Sequence, residues 1–366
     1  MNTPSLVDVV TPTYNQEQYL AQALDSALAQ QTSFSVRLMV GDDCSTDGTS
    51  DIIAGYARRY PGRINAVYRH RNLGAAKNGS LLCASCNAKY LALLDGDDYW
   101  TCDYKLQRQV DFLEKHPDFA MCFHNAHNLH PDGHRTDYLA TYGLPRKNSY
   151  GLTDVLTRNP IPTCSIVCRR QALGHLPPEY LRIPAGDRML VVILAQSGRL
   201  GYIDEAWGIR RVHEGGIVSL KSRENKLLIT IECLEIINSY LGRRYERVLR
   251  PAISGHWHDL AWQHLQESGG ADLSPDSLRA VERALARWSE QTPLAEKSRR
   301  YVLGRLYISA CLEAKRQGDR RLLRRNLFKA VGHRPSLLTR KGPWVMGLSA
   351  LAGNLRGRPN GEEGSN

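Results

Sequence analysis

The chain has 366 residues, of which 42% are hydrophobic and 23% charged, and it carries a formal net charge of +11. Such a composition excludes a disordered or fibrous chain, and no run of about 20 apolar residues offers a membrane-spanning helix. The length exceeds one ordinary core and calls for a main domain with an extension.

Met1 to Leu6 lacks a basic stretch followed by an apolar one, so no signal peptide is expected. Leu6 to Val10 reads as a buried strand running into Thr11-Pro12. Asn15 followed by Gln18 reads as a helix cap with its capping-box partner, ahead of Tyr19, Leu20, Ala23, Leu24, Ala27 and Leu28 at helical spacing. Val36 to Val40 is the next strand and ends in Gly41-Asp42-Asp43-Cys44-Ser45-Thr46-Asp47-Gly48, a loop of carboxylates and turn formers. A helix through Ile52, Ile53, Tyr56 and Tyr60, a strand over Ile64 to Tyr68 and a helix through Leu81 and Leu82 follow. Tyr90 to Leu94 is a fourth apolar strand and stops at Asp95-Gly96-Asp97-Asp98. Alternating units of this kind imply a mostly parallel sheet covered by helices, whose ligands bind beyond the carboxyl ends of the strands.

Residues 124 to 150 are polar and rich in His, Asn and Tyr, which predicts a loop over the site. Thr163 to Arg169 reads as a strand, and Met189 to Ala195 as a helix with Asp187 at its start. From about residue 221 the periodicity of Leu227, Leu228, Ile231, Leu234 and Leu241 is helical throughout. Three segments are expected: an α/β domain over 1–220, an all-helical extension over 221–318 and a basic amphipathic tail over 319–366.

The chemistry concentrates at the strand ends. Three carboxylates in Asp95-Gly96-Asp97-Asp98 repel one another unless a cation sits among them. Hard divalent ions such as Mg²⁺ or Mn²⁺ take oxygens from one or two carboxylates and from substrate phosphates. A solvated acidic turn is the plain alternative. At the end of its own strand, Asp42-Asp43 can accept a base N–H such as uracil N3–H, and Tyr14 on the first loop can stack on that base. A helix cap or Asx turn is the other reading of Asp42-Asp43. Cys83-Ala84-Ser85-Cys86 lacks a second matching pair and reads as small residues on a buried helix face rather than as a zinc site.

The ordered set of segments carries a resemblance. It comprises Val9-Val10-Thr11-Pro12-Thr13-Tyr14-Asn15, Val40 to Thr49, Asn72 to Gly79, Leu94 to Asp98, Gly186-Asp187 and Arg211-Val212-His213-Glu214-Gly215-Gly216. Together they resemble family 2 glycosyltransferases with the GT-A fold. The resemblance implies an inverting transfer of sugar from a nucleotide diphosphate donor, a UDP-sugar in the first instance, to an acceptor hydroxyl. It implies donor contacts at Thr11, Pro12, Tyr14, Asp43, Lys77, Asp95, Gly96 and Asp97, with Asp43 on uracil and Asp95 on ribose. Asp97 would ligate Mn²⁺ or Mg²⁺ bridging the diphosphate, and His213 would be a further metal or phosphate contact. Asp187 matches the family's catalytic base; its alternative is a helix cap. Asp98 and Trp100 would face the acceptor, although core packing is equally open to Trp100. The family usually has Arg where Lys77 stands and often an aromatic residue where Arg188 stands.

Nine cysteines at irregular spacing fit reduced thiols and a cytoplasmic chain. The positive excess gathers late, with ten Lys or Arg and no Asp or Glu between Arg320 and Gly361. There Arg320, Arg321, Arg324 and Arg325 interleave with Leu322, Leu323, Leu327 and Phe328, and Pro343 to Leu348 is followed by Arg356 and Arg358. Two readings stay open: the tail docks on an anionic membrane near a glycan or lipid-linked acceptor, peripheral to the inner face, or it is an ordinary helix with solvated arginines. No nucleic-acid-binding module is recognised. A dehydrogenase would need a G-x-G-x-x-G after the first strand, and a sugar nucleotidyltransferase a glycine-rich basic loop there; Thr11 to Asn15 supplies neither. A non-catalytic nucleotide-sugar or glycan binder is the remaining rival.

Overall fold

A computed structural model of the chain describes residues 5–141, 146–158, 161–213, 215, 221–267, 275–291 and 296–335. These form two compact units. One runs to Ser222 and includes Glu232–Val248; the other comprises Arg223–Ile231 and the chain from Leu249 onward.

The first unit begins β1 (Val7–Thr13), α1 (Leu20–Leu28), β2 (Val36–Asp42), α2 (Thr49–Arg59), β3 (Ile64–Tyr68), α3 (Ala75–Ser85) and β4 (Tyr90–Leu93). It continues β5 (Tyr99–Trp100), α4 (Lys105–Lys115), β6 (Phe119–Leu129), β7 (Arg135–Asp137), α5 (Tyr138–Thr141), β8 (Ser149–Tyr150) and α6 (Leu152–Leu156). Then come β9 (Val167–Arg169), α7 (Arg170–Leu173), α8 (Gly186–Ser197) and β10 (Arg199–Arg211). One sheet holds them in the order β3-β2-β1-β4-β9-β6-β10-β5, with β7 beside β6 and β8 beside β10. β3, β2, β1 and β4 are mutually parallel, as are β6 and β10. The short β9 joins the two blocks by running antiparallel to β4 and β6.

Strand character follows from burial. Val7, Val9 and Val10 are all buried, so both faces of β1 are covered, as a parallel strand between helix layers requires. Asp8 is buried in the same strand because Arg37 of β2 pairs with it at 2.8 Å. In α1, Leu20, Ala23, Leu24 and Ala27 form the buried stripe at i, i+3, i+4 and i+7. Because β1, β2 and β4 point the same way, their carboxyl ends deliver Tyr14, Asp43 and Asp95 to one edge of the sheet.

Three local expectations fail. No capping box forms at Asn15, because α1 starts at Leu20 after a turn and without a side-chain cap. Asn15 takes φ +50° and its side-chain oxygen accepts from Thr46 N–H instead. Residues 124–129 are not a loop over the site but the second half of β6, with His124, Asn125 and Asn128 buried. Their polarity is absorbed locally: Asn125 donates to Asp137 at 2.7 Å and accepts from Ala126 and Leu139 N–H, and Asn128 pairs with Thr136. The strand expected at Thr163–Arg169 is divided into one turn of 3₁₀ helix, Thr163–Ser165, and β9.

The helices that follow are α9 (Arg223–Tyr240), α10 (Glu246–Glu267), α11 (Pro275–Gln291), α12 (Glu296–Arg316) and α13 (Arg320–His333); α9 and α10 each contribute to both units. In the second unit, Ile253, Trp257, Leu260, Ala261, Val281, Leu285, Trp288, Val302 and Leu306 are buried. Gly318 reverses the chain after α12 at φ +73°, a conformation glycine takes without side-chain strain. Asp319 then caps α13, accepting from Leu322 N–H at 2.8 Å. Leu323 of α13 packs on Cys311 and Ala314 of α12, with Leu322 and Leu327 against the same cluster. The leucines of the basic segment are therefore spent on helix packing and do not form an apolar face toward a bilayer. Pro343 to Leu348, Arg356 and Arg358 lie outside the described residues, as do Glu214 and Gly216. No described helix is long and apolar enough to cross a membrane.

Candidate active site

Two loops lock together at the sheet edge. Asn15 N–H donates to Ser45 Oγ at 2.9 Å, Gln16 N–H to Thr49 Oγ1 at 2.8 Å, and Gly48 N–H to Glu17 Oε2 at 2.6 Å. Asp42 holds the turn, accepting from Ser45 N–H and Oγ and from the Ser50 hydroxyl. Asp43 is buried and accepts from Leu73 N–H at 2.9 Å and Gly74 N–H at 2.8 Å. It thus ties the end of β2 to the entry of α3, and a carboxylate retains further lone pairs for a ligand. Tyr14 is 44% exposed on the first loop, whereas Thr11 is buried in β1 with its hydroxyl lacking any described partner. Pro12 fixes the next loop by accepting Gly96 N–H at 3.4 Å.

Around Gly96 the backbone is crowded. A Cβ there would strike the Gln16 amide oxygen and lie 2.9 Å from Thr13 Oγ1, so only glycine lets this loop approach β1 closely. The approach gathers Asp95, Asp97 and Asp98, each offering one oxygen within 4.8 Å of the others. Burial, then the charges of Asp97 and Asp187, push the Asp95 carboxyl up to about 7, against the pull of Arg210. Burial and the charges of Asp97 and Asp95 likewise push Asp98 well above the usual range. Strand β10 supplies the counterweight. Arg211 donates its backbone N–H to Asp98 Oδ1 at 3.0 Å and its guanidinium to the Asp97 carbonyl, while Tyr19 and Tyr99 lie beside the guanidinium. His213 Nε2 stands 2.9 Å from Asp97 Oδ2, with the ring 4.8 Å from that of Tyr19. Clustered carboxylate oxygens beside an imidazole nitrogen fit a hard divalent cation.

Asp187 occupies the first turn of α8. Its backbone is drawn close to α3, since a Cβ at Gly186 would lie 3.0 Å from Tyr180 Oη and 3.6 Å from Ala76 Cβ. Ala76 precedes Lys77 in the first turn of α3, and Lys77 is half-buried there. Asp187 is near enough to Asp95 for its charge to raise that carboxyl. Burial raises Asp187 itself, opposed by Arg188 N–H and by the charges of Arg188 and Arg210.

Of the two residues expected to face an acceptor, Trp100 is placed in the core. Trp100 is 4% exposed, donates Nε1–H to the Cys164 carbonyl at 2.7 Å and carries the Lys105 ammonium 3.9 Å above its ring. It is a core residue and leaves no open floor. Asp98 is buried within the carboxylate cluster and accepts Arg211 N–H through Oδ1. The cysteines are free thiols; burial pushes Cys83 up to about 12 and Cys86 higher still, the state of inert packing groups.

Two features escape the sequence reading. A cleft of about 400 Å³ is lined by Tyr68, Arg69, His70, Arg71 and Leu73, beside Asp43, which holds Leu73 N–H. Its signal was available, as Arg69-His70-Arg71 directly follows a strand of the same sheet. Arg210 acts on Asp95, Asp98 and Asp187 at once while donating to Asn128 at 3.2 Å. That role depends on β6 and β10 being neighbours, which no local pattern reports.

Comparison with known proteins bears on the family and the fold. The sequence profile of "Glycosyl transferase family 2" matches residues 8–174. TuaG of Bacillus subtilis, named as a teichuronic acid biosynthesis glycosyltransferase, is 39% identical over 181 residues, covering 50% of this chain and 69% of that protein. An uncharacterized protein of Mycobacterium tuberculosis is 37% identical over 215 residues, 58% of this chain, and the chain spans 60% of its length. The fold matches that of S. aureus TarS, solved in complex with UDP-GlcNAc, at a TM-score of 0.52 and 16% identity, over 90% of this chain and 92% of that one. The fold is GT-A, and with these likenesses over its α/β unit the chain belongs to glycosyl transferase family 2.

Proposed function

We propose that the protein transfers a sugar from a nucleotide diphosphate donor, a UDP-sugar, to an acceptor hydroxyl with inversion of the anomeric centre. The observation that carries this reading is the convergence of Asp95, Asp97 and His213 with Asp187 at one edge of the sheet. Asp97 and His213 would hold Mn²⁺ or Mg²⁺, with Asp95 toward the ribose. The cation, when bound, supplies Lewis-acid stabilisation of the leaving diphosphate.

The chain's own groups do the rest. Asp43 accepts the base N–H, Tyr14 stacks on the base, and Lys77 offers the phosphates a point charge rather than a bidentate fork. The cationic cleft of Arg69, His70 and Arg71 supports nucleotide phosphate or base contacts beside Asp43. Asp187 takes the acceptor hydroxyl proton as that oxygen attacks the anomeric carbon; burial raises its affinity for a proton above that of an exposed aspartate, which makes it the stronger base. Attack from the face opposite the leaving group inverts the centre. The kinship with TuaG, named for teichuronic acid biosynthesis, favours an acceptor in surface polysaccharide or lipopolysaccharide synthesis.

Binding and slow hydrolysis of a panel of nucleotide-sugars, with and without Mn²⁺, test the reading in wild type and Asp97→Ala. Metal-dependent turnover of one UDP-sugar, lost in the variant, is the expected result. Folded protein that binds no nucleotide-sugar would overturn it. Donor binding without turnover on any acceptor would favour a non-catalytic binder, and release of diphosphate from a nucleoside triphosphate a nucleotidyltransferase.

A further inference from the structure

The outer face of α13 combines two features that packing does not explain. Phe328 is 82% exposed, far more than any other large apolar side chain described. Arg320, Arg321 and Arg325 are exposed as well, whereas Lys329 donates to the Tyr307 hydroxyl at 3.1 Å. At roughly 100° per residue, Arg320, Arg321, Arg324 and Arg325 fall within an arc of about 140° centred on Phe328. The opposite side of the helix holds Leu322, Leu323, Leu327 and Ala330, and the cluster with Cys311 and Ala314 accounts for those leucines. From Arg320 to Arg334 the sequence has six basic residues and no acidic one.

We infer that this face docks on an anionic lipid bilayer, with Phe328 entering the headgroup boundary and the surrounding arginines meeting lipid phosphates. Charge complementarity selects an anionic partner. The aromatic ring favours a bilayer over a polysaccharide or polyphosphate polyanion, which gives a phenyl ring nothing apolar to enter, whereas the interfacial zone does; base faces could also stack on the ring, but no nucleic-acid-binding module accompanies it. The tail over residues 336–366 is a poor occupant of this face: Arg340, Lys341, Arg356 and Arg358 outnumber Glu362 and Glu363, so it too is net positive and like charges would oppose its return. The docking differs from a helix lying on the membrane by a leucine stripe, since Leu323 is buried and Leu322 and Leu327 are partly buried against the same cluster. It is independent of the sugar transfer proposed for the α/β unit, so either can fail while the other stands.

The test is co-sedimentation of the full chain with phosphatidylcholine vesicles, with and without phosphatidylglycerol, at low and high salt. Wild type, Phe328→Ser, the double variant Arg321→Gln/Arg325→Gln, and a chain ending at residue 335 are compared, with circular dichroism and metal-dependent donor hydrolysis showing that each is intact. The expected result is salt-sensitive binding to the anionic vesicles only. The binding weakens about fivefold for each arginine neutralised and about tenfold for Phe328→Ser, and it survives removal of residues 336–366. Equal binding to neutral vesicles would overturn the inference, as would loss of binding on tail removal alone. Wild-type binding by Phe328→Ser, or retention on heparin without retention on vesicles, would overturn it in favour of a soluble polyanion.

Discussion

His213 Nε2 lies 2.9 Å from Asp97 Oδ2, although 116 residues separate the two in sequence. β10, which ends at Arg211, carries the imidazole to the loop after β4, and Arg211 pins that loop through the Asp97 carbonyl and the Asp98 carboxylate. Cation binding is therefore expected to depend on both residues. Asp97→Ala should abolish Mn²⁺ binding measured by calorimetry with UDP present. His213→Ala should weaken it by about tenfold to a hundredfold. Mn²⁺ should raise the melting temperature of wild type but not of Asp97→Ala.

Asp187→Asn keeps the size of the side chain and removes its basicity. Transfer should fall by about 10²- to 10⁴-fold in kcat, with donor binding little changed. Burial raises the Asp187 carboxyl above its ordinary value. The base works only when ionised, so the acid limb of the kcat/KM profile should lie at higher pH than for an exposed aspartate. That limb should be missing from the residual activity of the variant.

Gly96 gives a steric prediction. The methyl of Gly96→Ala would strike the Gln16 amide oxygen and crowd Thr13. Relief must come from shifting the carboxylate loop away from β1, at a cost of about 1–3 kcal/mol. Urea unfolding should show this loss, and Mn²⁺ affinity should fall although no ligand has been changed.

The Asp8–Arg37 pair gives a pH-dependent stability. Burial alone would raise the Asp8 carboxyl, but hydrogen bonds from Arg37, Ser5 and Ala88 N–H outweigh it and hold the group below its ordinary value. A lowered carboxyl contributes stability above about pH 4. That contribution is lost as the pH falls through the depressed value. Arg37→Met leaves the buried carboxylate without its cation and should cost about 3 kcal/mol at neutral pH. The gap from wild type in urea unfolding should narrow on acidification, beginning above about pH 4, because without Arg37 burial raises the Asp8 carboxyl and the variant takes up the proton first.

Much of the first unit was legible because its strands are short apolar runs and its chemical loops stand where those runs stop. β3 spans Ile64–Tyr68, as the pattern predicts, and Asp95 to Asp98 follow β4 directly. A buried parallel strand needs apolar residues on both faces, and the groups at its carboxyl end are read off next to it. Local pattern failed where side chains chose distant partners. Asn15 looked like a helix cap but is taken by Thr46 N–H, thirty-one residues away. His124, Asn125 and Asn128 looked like a loop but lie in a strand whose neighbours satisfy Asn125 and Asn128.

The sequence by itself determined the alternation of strands and helices, the carboxylates at the strand ends and the basic character of the C-terminal part, since each depends on residues adjacent in the chain. Tertiary structure alone decided that Trp100 belongs to the core, that Arg210 and Arg211 are the cations facing the carboxylates, and that the leucines of α13 point at α12 while Phe328 points away. Each of these turns on which strand or helix lies beside another, and such pairings join residues far apart in sequence whose contact no local periodicity encodes.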